Sequence, residues 1–265
     1  MSRIGDLIQS SKKIVVKIGS STLSDPAGCV NRTLMHNIVG QLWSLMERDK
    51  KIILVSSGAG ICGVGAINKW HRKGDINYKQ ALCAIGQVEL MNAYKELFQE
   101  YGVHVGQMLL TREDFGEPDR NLHIRNTLFT LVDEGVVPII NENDSVSVDE
   151  IRIGDNDTLS ALTANLWGAD LLLILSDING VYNADPKINQ NAKLVEEVYD
   201  IACLQDAIDT KGVSVFGTGG ITTKLTAAQM AGRYGIHTMI VNGTTPNILE
   251  KVMDGTEKGT LFVAG

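Results

Sequence analysis

The chain has 265 residues, 44% of them hydrophobic and 21% charged, with a mean hydropathy of +0.02; this is the composition of a folded globular protein and excludes a disordered one. A formal net charge of −7 argues against nucleic acid as a main partner, because that binding rests on neutralising many phosphates, but a single nucleotide needs only local positive charge. No apolar run approaches the roughly 18 residues of a membrane span, and the N-terminal MSRIGDLIQSSKK has no apolar signal core, so no membrane partner and a cytoplasmic location are expected.

Strand and helix signals alternate along the chain. Residues 12–19 (KKIVVKIG) are a short β-branched run ending in a turn. Residues 31–50 have helical spacing, with Leu34, Ile38, Leu42, Leu45 and Met46 on one face. Residues 51–58 (KIILVSSG) read as a second buried strand, followed by a helix over about 78–101 and a third strand over 104–111. Residues 113–125 are polar and charged, a loop leading into a helix over 126–133; VVPIINEND is a fourth strand. Residues 155–167 are helical, with Asp155 placed to cap them. Residues 170–177 (DLLLILSD) form a continuous apolar strand buried on both faces, and Asp185-Pro186 marks a turn. A helix over 222–232, a strand over 237–243 and a last short strand over 260–263 complete the pattern.

Buried strands separated by helices imply an α/β fold, with a mainly parallel sheet covered on both faces. Ligands in such sheets bind beyond the carboxyl ends of the strands. The unusual segments fall there: Gly19-Ser20-Ser21, Ser56-Ser57-Gly58, NEND and Ser176-Asp177. No repeat, low-complexity tract or linker divides the chain, so residues 1–265 are expected to form one domain. The four cysteines are scattered without a CxxC pair, as expected of free, mostly buried thiols, and the five histidines lack metal-ligand spacing.

Gly58-Ala59-Gly60-Ile61-Cys62-Gly63 matches GxGxxG. It follows the second strand instead of the first, and no acidic residue ends a strand about 20 residues on, so a dinucleotide fold and a dehydrogenase are disfavoured. Close backbone approach to a phosphate or carboxylate is the expected role. The chain has no GxxxxGK[ST] loop and no HRD or DFG signature, which excludes the P-loop and protein-kinase routes to a nucleotide.

Two lysines carry the chemical argument. Lys17 ends an apolar strand in IVVKIGSS, beside the N–H groups of Gly19, Ser20 and Ser21. Lys224 follows Gly217-Thr218-Gly219-Gly220 at the start of a helix, where bare N–H groups and the helix dipole favour an anion. Asp155-Asn156-Asp157 exceeds what a cap requires, and an aspartate between two lysines would hold both flexible stems. Lysines, glycine loops and a few carboxylates suit phosphoryl transfer, which works by positioning and charge stabilisation. A snorkelling lysine, a plain flexible turn and a simple helix cap are the ordinary readings of these segments taken singly.

Together GQMLLTRED, VPIINENDSV, IGDNDTLSA, LLLILSDINGVYNADP and GTGGITTKL resemble the amino acid kinase family, and NEND with GDND points to its glutamate-phosphorylating branch. The resemblance runs from VVKIGSS to GTLF. It implies a three-layer αβα sandwich and ATP- and Mg²⁺-dependent phosphorylation of the γ-carboxylate of L-glutamate, the first step of proline biosynthesis. It also implies roles for residues: Lys17 and Lys224 as phosphate-stabilising lysines, Asp157 as their orienting carboxylate, and Ser57, Asp144 and Asn156 as the glutamate-binding set. Lys17, Gly19, Ser176, Asp177, Thr218, Gly219, Gly220, Ile221, Thr222, Thr223 and Lys224 would contact ATP. L-Proline as feedback inhibitor, handover of γ-glutamyl phosphate to its reductase, and a homo-oligomer are further implications. Many members of the branch carry a C-terminal PUA domain, and this chain is expected to be a short form without one. Gly60 stands where a larger apolar residue is common and Ser176 where threonine is common. A kinase of the same fold acting on aspartate, acetylglutamate, carbamate or a nucleoside monophosphate, and a non-catalytic amino-acid sensor, stay open as alternatives.

Overall fold

A computed structural model describes residues 3–25, 29–67, 74–147, 156–184, 186, 189–204 and 220–265. In chain order these form α1 (Arg3–Ser10), β1 (Lys13–Ile18), α2 (Ser20–Leu23), α3 (Arg32–Met46), β2 (Lys51–Ser56), α4 (Ala59–Ile67) and α5 (Ile76–Gln99). There follow β3 (Val105–Leu110), a 3₁₀ turn (Arg112–Phe115), α6 (Pro118–Asp133), β4 (Val137–Glu142), α7 (Asn156–Trp167), β5 (Leu171–Ser176) and β6 (Glu197–Val198). The last are α8 (Gly220–Gly232), β7 (His237–Asn242), α9 (Ile248–Met253) and β8 (Thr260–Phe262).

The strands form one eight-stranded sheet in the order β3-β4-β2-β1-β5-β7-β8-β6. Its pairs are parallel except that β8 runs antiparallel to β7. The period-2 alternation of strands splits the core in two. Ile14, Val16 and Ile18 of β1 pack with residues of α1, α3, α5 and α9 on one face. Val15 of β1 packs with α6, α7 and α8 on the other. The result is the expected αβα sandwich. Lys17 has the parity of Val15, so its side chain enters the layer of α7 and α8.

The chain order places β1 at the point where the sheet reverses. β2, β4 and β3 extend to one side of it and β5 and β7 to the other. A crevice therefore opens beyond the carboxyl ends of β1, β2, β4 and β5. Every residue of β5 is buried, which explains its unbroken apolar run.

Three expectations are corrected. The polar stretch 113–125 is largely helical, since α6 starts at Pro118, with proline in its first turn and Asp119 beside it. Its apolar stripe of Ile124, Leu128 and Val132 is sparse enough for the surrounding charges to mask it. Residues 58–63, read as a GxGxxG match without an assigned element, lead into and form much of α4, which runs from Ala59 to Ile67. Finally, the cysteines form no disulfide but only Cys83 is buried; Cys29 and Cys203 are exposed, Cys203 in a helical stretch. Asp155, Asp185, Gly217, Thr218 and Gly219 lie outside the described residues.

Candidate active site

Asp157, in the first turn of α7, stands between the two lysines. Lys17 Nζ is 2.7 Å from Asp157 Oδ1, and Lys224 Nζ is 3.1 Å from Oδ2. The three residues are 5%, 9% and 1% exposed for Lys17, Lys224 and Asp157 respectively. Lys224 Nζ also donates to the Gly220 carbonyl at 3.0 Å, and Thr223 Oγ1 donates to Asp157 Oδ2 at 2.7 Å. Burial alone would raise the Asp157 carboxyl; the charges of Lys17 and Lys224, with hydrogen bonds from Lys17 and Thr223, outweigh it and hold the group below the usual carboxylate range. Two lysines share one carboxylate, so the cluster is left with net attraction for an anion.

Local structure explains how the lysines arrive together. Lys17 comes from the end of β1, the central strand, and Lys224 from the first turn of α8, packed against α7. The backbone after β1 is pinned to β5: Gly19 N–H donates to the Leu175 carbonyl at 3.3 Å and Thr22 Oγ1 to the same oxygen at 3.3 Å. Gly19 is extended, and a Cβ built there would meet Lys17 Nζ at 3.5 Å. The glycine keeps space open against the ammonium group. Ser176 ends β5 next to Gly19; it is buried, while Asp177 is exposed, and Ser176 Oγ donates to Asp177 Oδ1 at 3.2 Å. Gly220, Ile221, Thr222 and Thr223 form the start of α8, with Gly220 and Thr222 exposed at its N-terminus and Ile221 buried beneath.

A second cluster continues from the first. Asn156 precedes Asp157 and is fully buried. Its Nδ2 donates to Ser57 Oγ at 2.7 Å and to Asn141 Oδ1 at 2.9 Å. Ser57, Asn141 and Asp144 line a cavity of ≈ 190 Å³ together with Ser20, residues 58–61, Lys79, Leu82 and Cys83. The volume is below the roughly 300 Å³ at which drug-sized pockets begin, so the cavity suits a small metabolite. The structure therefore brings Ser57, Asp144 and Asn156 to one place beside the Lys17–Asp157–Lys224 cluster.

Sequence reading left out the residues that hold this cavity. Gln87 Oε1 accepts from Asn141 Nδ2 at 2.8 Å, and Gln80 Nε2 donates to the Asp144 carbonyl at 2.9 Å. Both lie on α5 seven positions apart, which returns them to one helix face. Tyr94 OH bonds Ser56 Oγ at 2.8 Å under the Ser57 turn. Lys79 on the cavity wall was missed as well. The one signal for these residues was helical periodicity, for Lys79 and the apolar positions three, four and seven further on share a face.

The GxGxxG segment divides in function. Gly58, at φ +112, turns the chain out of β2, and Gly60 lines the cavity. Gly63 instead serves packing: a Cβ there would lie 1.9 Å from the Leu82 carbonyl oxygen, and one at Gly86 1.8 Å from that of Ala59. These glycines let α4 and α5 touch backbone to backbone. The Cys62 thiol, pushed up to about 12 by burial and by the nearby Glu89 charge, is not a ready nucleophile.

Comparison with known proteins agrees with this architecture. Residues 12–242 match the model of the amino acid kinase family. The chain is 56% identical over 262 residues to "Glutamate 5-kinase" of Alkaliphilus metalliredigens (strain QYMF), covering 99% of each chain. It is 53% identical to "Glutamate 5-kinase" of Alkaliphilus oremlandii (strain OhILAs), covering 97% of this chain and 98% of that one. Among solved structures, a carbamate kinase from Giardia lamblia bound to AMP-PNP superposes with a TM-score of 0.68 at 14% identity, covering 96% of this chain and 99% of the other, a likeness of fold. The chain belongs to the amino acid kinase family, and within it to the glutamate 5-kinases.

Proposed function

We propose that this protein transfers the γ-phosphoryl group of ATP to the γ-carboxylate of L-glutamate, forming γ-glutamyl phosphate and ADP as the first step of proline biosynthesis. The observation that carries the reading is the buried Lys17–Asp157–Lys224 cluster beside a cavity of metabolite size that Ser57, Asn141 and Asp144 help to line. Its relatives' shared name supports the choice of acceptor.

A carboxylate oxygen of glutamate attacks the γ-phosphorus, and the bond to the β–γ bridging oxygen breaks with its electron pair leaving on ADP. The nucleophile is ionised at neutral pH, so no general base is needed. The obstacle is repulsion between an anionic acceptor and a polyphosphate. Lys17 and Lys224 offset it, and Asp157 fixes both ammonium groups before substrate arrives, so little reorganisation accompanies transfer. Gly19, Ser176, Asp177 and residues 218–224 form the proposed ATP side. Ser57, Asp144 and Asn156 form the glutamate side.

Mg²⁺ belongs to the proposal as the companion of the triphosphate. Among the described residues no group of three or more His, Cys, Asp or Glu side chains offers a protein-built metal cage. An ion that keeps waters and takes phosphate oxygens needs none. The family resemblance extends the reading to L-proline as a feedback inhibitor, handover of the reactive acyl phosphate to γ-glutamyl phosphate reductase, a homo-oligomer, and one kinase domain in the cytoplasm. Among the described residues no helix is long and apolar enough to cross a membrane.

The test is ATP- and Mg²⁺-dependent hydroxamate formation with L-glutamate, L-aspartate and N-acetyl-L-glutamate. Signal with glutamate alone, reduced about 10²–10³-fold in kcat by Lys224→Ala, is the expected result. Signal only with another acid overturns the acceptor. ATP binding without turnover on any acid favours a sensor, and near-wild-type turnover by Lys224→Ala removes the two-lysine mechanism.

A further inference from the structure

We propose that Lys79 recognises the α-carboxylate of the amino-acid acceptor, and so selects acceptors that carry this second carboxylate. The inference rests on reading the cavity as the acceptor site and adds a residue and a subsite to it.

Among the described residues, Lys79 is the one basic side chain on the cavity wall. Its position on α5 is not that of a solvent-facing lysine. Leu82 and Cys83, three and four residues on, line the same cavity, and Gly86, seven on, packs against the α4 backbone. Lys79 thus belongs to the inward stripe of the helix, near its start. Asp75 caps that start by accepting from Tyr78 N–H at 3.2 Å, which sets where the first turn points. The next residue, Gln80, is tied to the Asp144 carbonyl, so α5 and the turn after β4 are held together beside the cavity.

The ammonium group of Lys79 is also uncommitted. Among the described residues its side chain makes no hydrogen bond or ion pair, whereas Lys13 Nζ donates to the Trp167 carbonyl, Lys50 Nζ to two carbonyls, and Lys17 and Lys224 hold Asp157. A half-buried cation on a largely apolar cavity wall, with no protein partner among the described residues, is a subsite for an anion. The transferring phosphoryl group already has its own lysines. A free dicarboxylic amino acid brings three charges, and the site has a counterpart for each. The reacting carboxylate lies toward Asn156 and the Lys17–Lys224 pair, the ammonium group toward Asp144, and the remaining carboxylate toward Lys79. Gly58 and the first residues of α4, Ala59, Gly60 and Ile61, line the same cavity.

The test compares wild type, Lys79→Met and Lys79→Arg. It reads KM and kcat for L-glutamate, and competitive inhibition constants for glutarate, which keeps both carboxylates, and 4-aminobutyrate, which lacks the α-carboxylate. In Lys79→Met the glutamate KM and glutarate inhibition constant are expected to rise about 10- to 100-fold, the cost of one charge-assisted hydrogen bond. kcat and the 4-aminobutyrate constant should change little, and Lys79→Arg should restore most of the binding. Equal weakening of all three ligands means general damage to the cavity and overturns the proposal, as does an unchanged glutamate KM. A wild-type enzyme inactive on glutamate overturns the acceptor reading itself, and this subsite with it; an active wild type with an indifferent Lys79→Met overturns Lys79 alone.

Discussion

Asp157 shows how one side chain links stability to chemistry. A buried carboxylate is costly without partners, and two buried ammonium groups would repel one another without it. Asp157→Asn keeps the shape and removes the charge. It is expected to lower kcat by at least about 10²-fold and to cost about 3 kcal/mol at neutral pH. Because the folded carboxyl is held below its ordinary range, its stabilising contribution is complete above the unfolded carboxylate pKa and is lost as pH falls through the folded one. The stability gap between wild type and Asp157→Asn should therefore shrink on acidification, and urea unfolding at neutral and strongly acidic pH measures it. Gly19 tests a different point. Its backbone is one that any residue adopts, and an added Cβ makes no contact under 3.5 Å. Gly19→Ala should leave the fold intact, with a gain of about 0.4–1 kcal/mol. If the open space beside Lys17 receives phosphate, the KM for ATP nonetheless rises several-fold; an unchanged KM would remove Gly19 from the nucleotide site.

Among the elements, the α4–α5 pair matters most. α4 has few large side chains and supplies backbone to the cavity wall, so its position depends on the close contact that Gly63 and Gly86 permit. A methyl group at either meets carbonyl oxygens of the neighbouring helix, which cannot turn aside as a flexible side chain can. Gly86→Ala should destabilise by about 3 kcal/mol or more, lowering Tm by roughly 6–12 °C, and should raise the glutamate KM because residues 58–61 move with α4. Calorimetry with steady-state kinetics reads both. Loss of stability without a change in KM would mean that α4 does not shape the acceptor cavity.

At the scale of the molecule, the sheet reversal at β1 gathers Lys17, Ser57, Asp144 and Asp157 from four separate stretches of chain, and α8 brings Lys224 to them. The far edge closes through the last strand. β8 runs antiparallel to β7, adds β6, and buries Leu261 and Phe262, while Thr260 Oγ1 accepts from Val181 N–H at 2.7 Å. Phe262→Ala should cost about 3–5 kcal/mol and lower Tm in a single transition, with turnover at room temperature close to wild type. A normal Tm would mean that this edge contributes nothing to the cooperative unit.

Much of this was legible in the residues. Unbroken apolar runs such as LLLILS can only be strands covered on both faces, and strand–helix alternation then implies a parallel sheet with its ligands at one edge. Both lysines and IGDND could be singled out because a lysine or a run of acids beside glycine turns conflicts with simple burial. Contacts between distant segments were another matter. That Asp157 divides its two oxygens between Lys17 and Lys224 depends on the parity of β1 and the packing of α7 on α8. Lys79, Gln80 and Gln87 look like ordinary polar positions of a helix until α5 is docked. Gly63 and Gly86 differ from other glycines only through the backbone set against them. Periodicity and composition are local properties that survive in a linear string, whereas a pocket is a set of close approaches across long separations, and these exist only once the sheet and its two helical layers have packed.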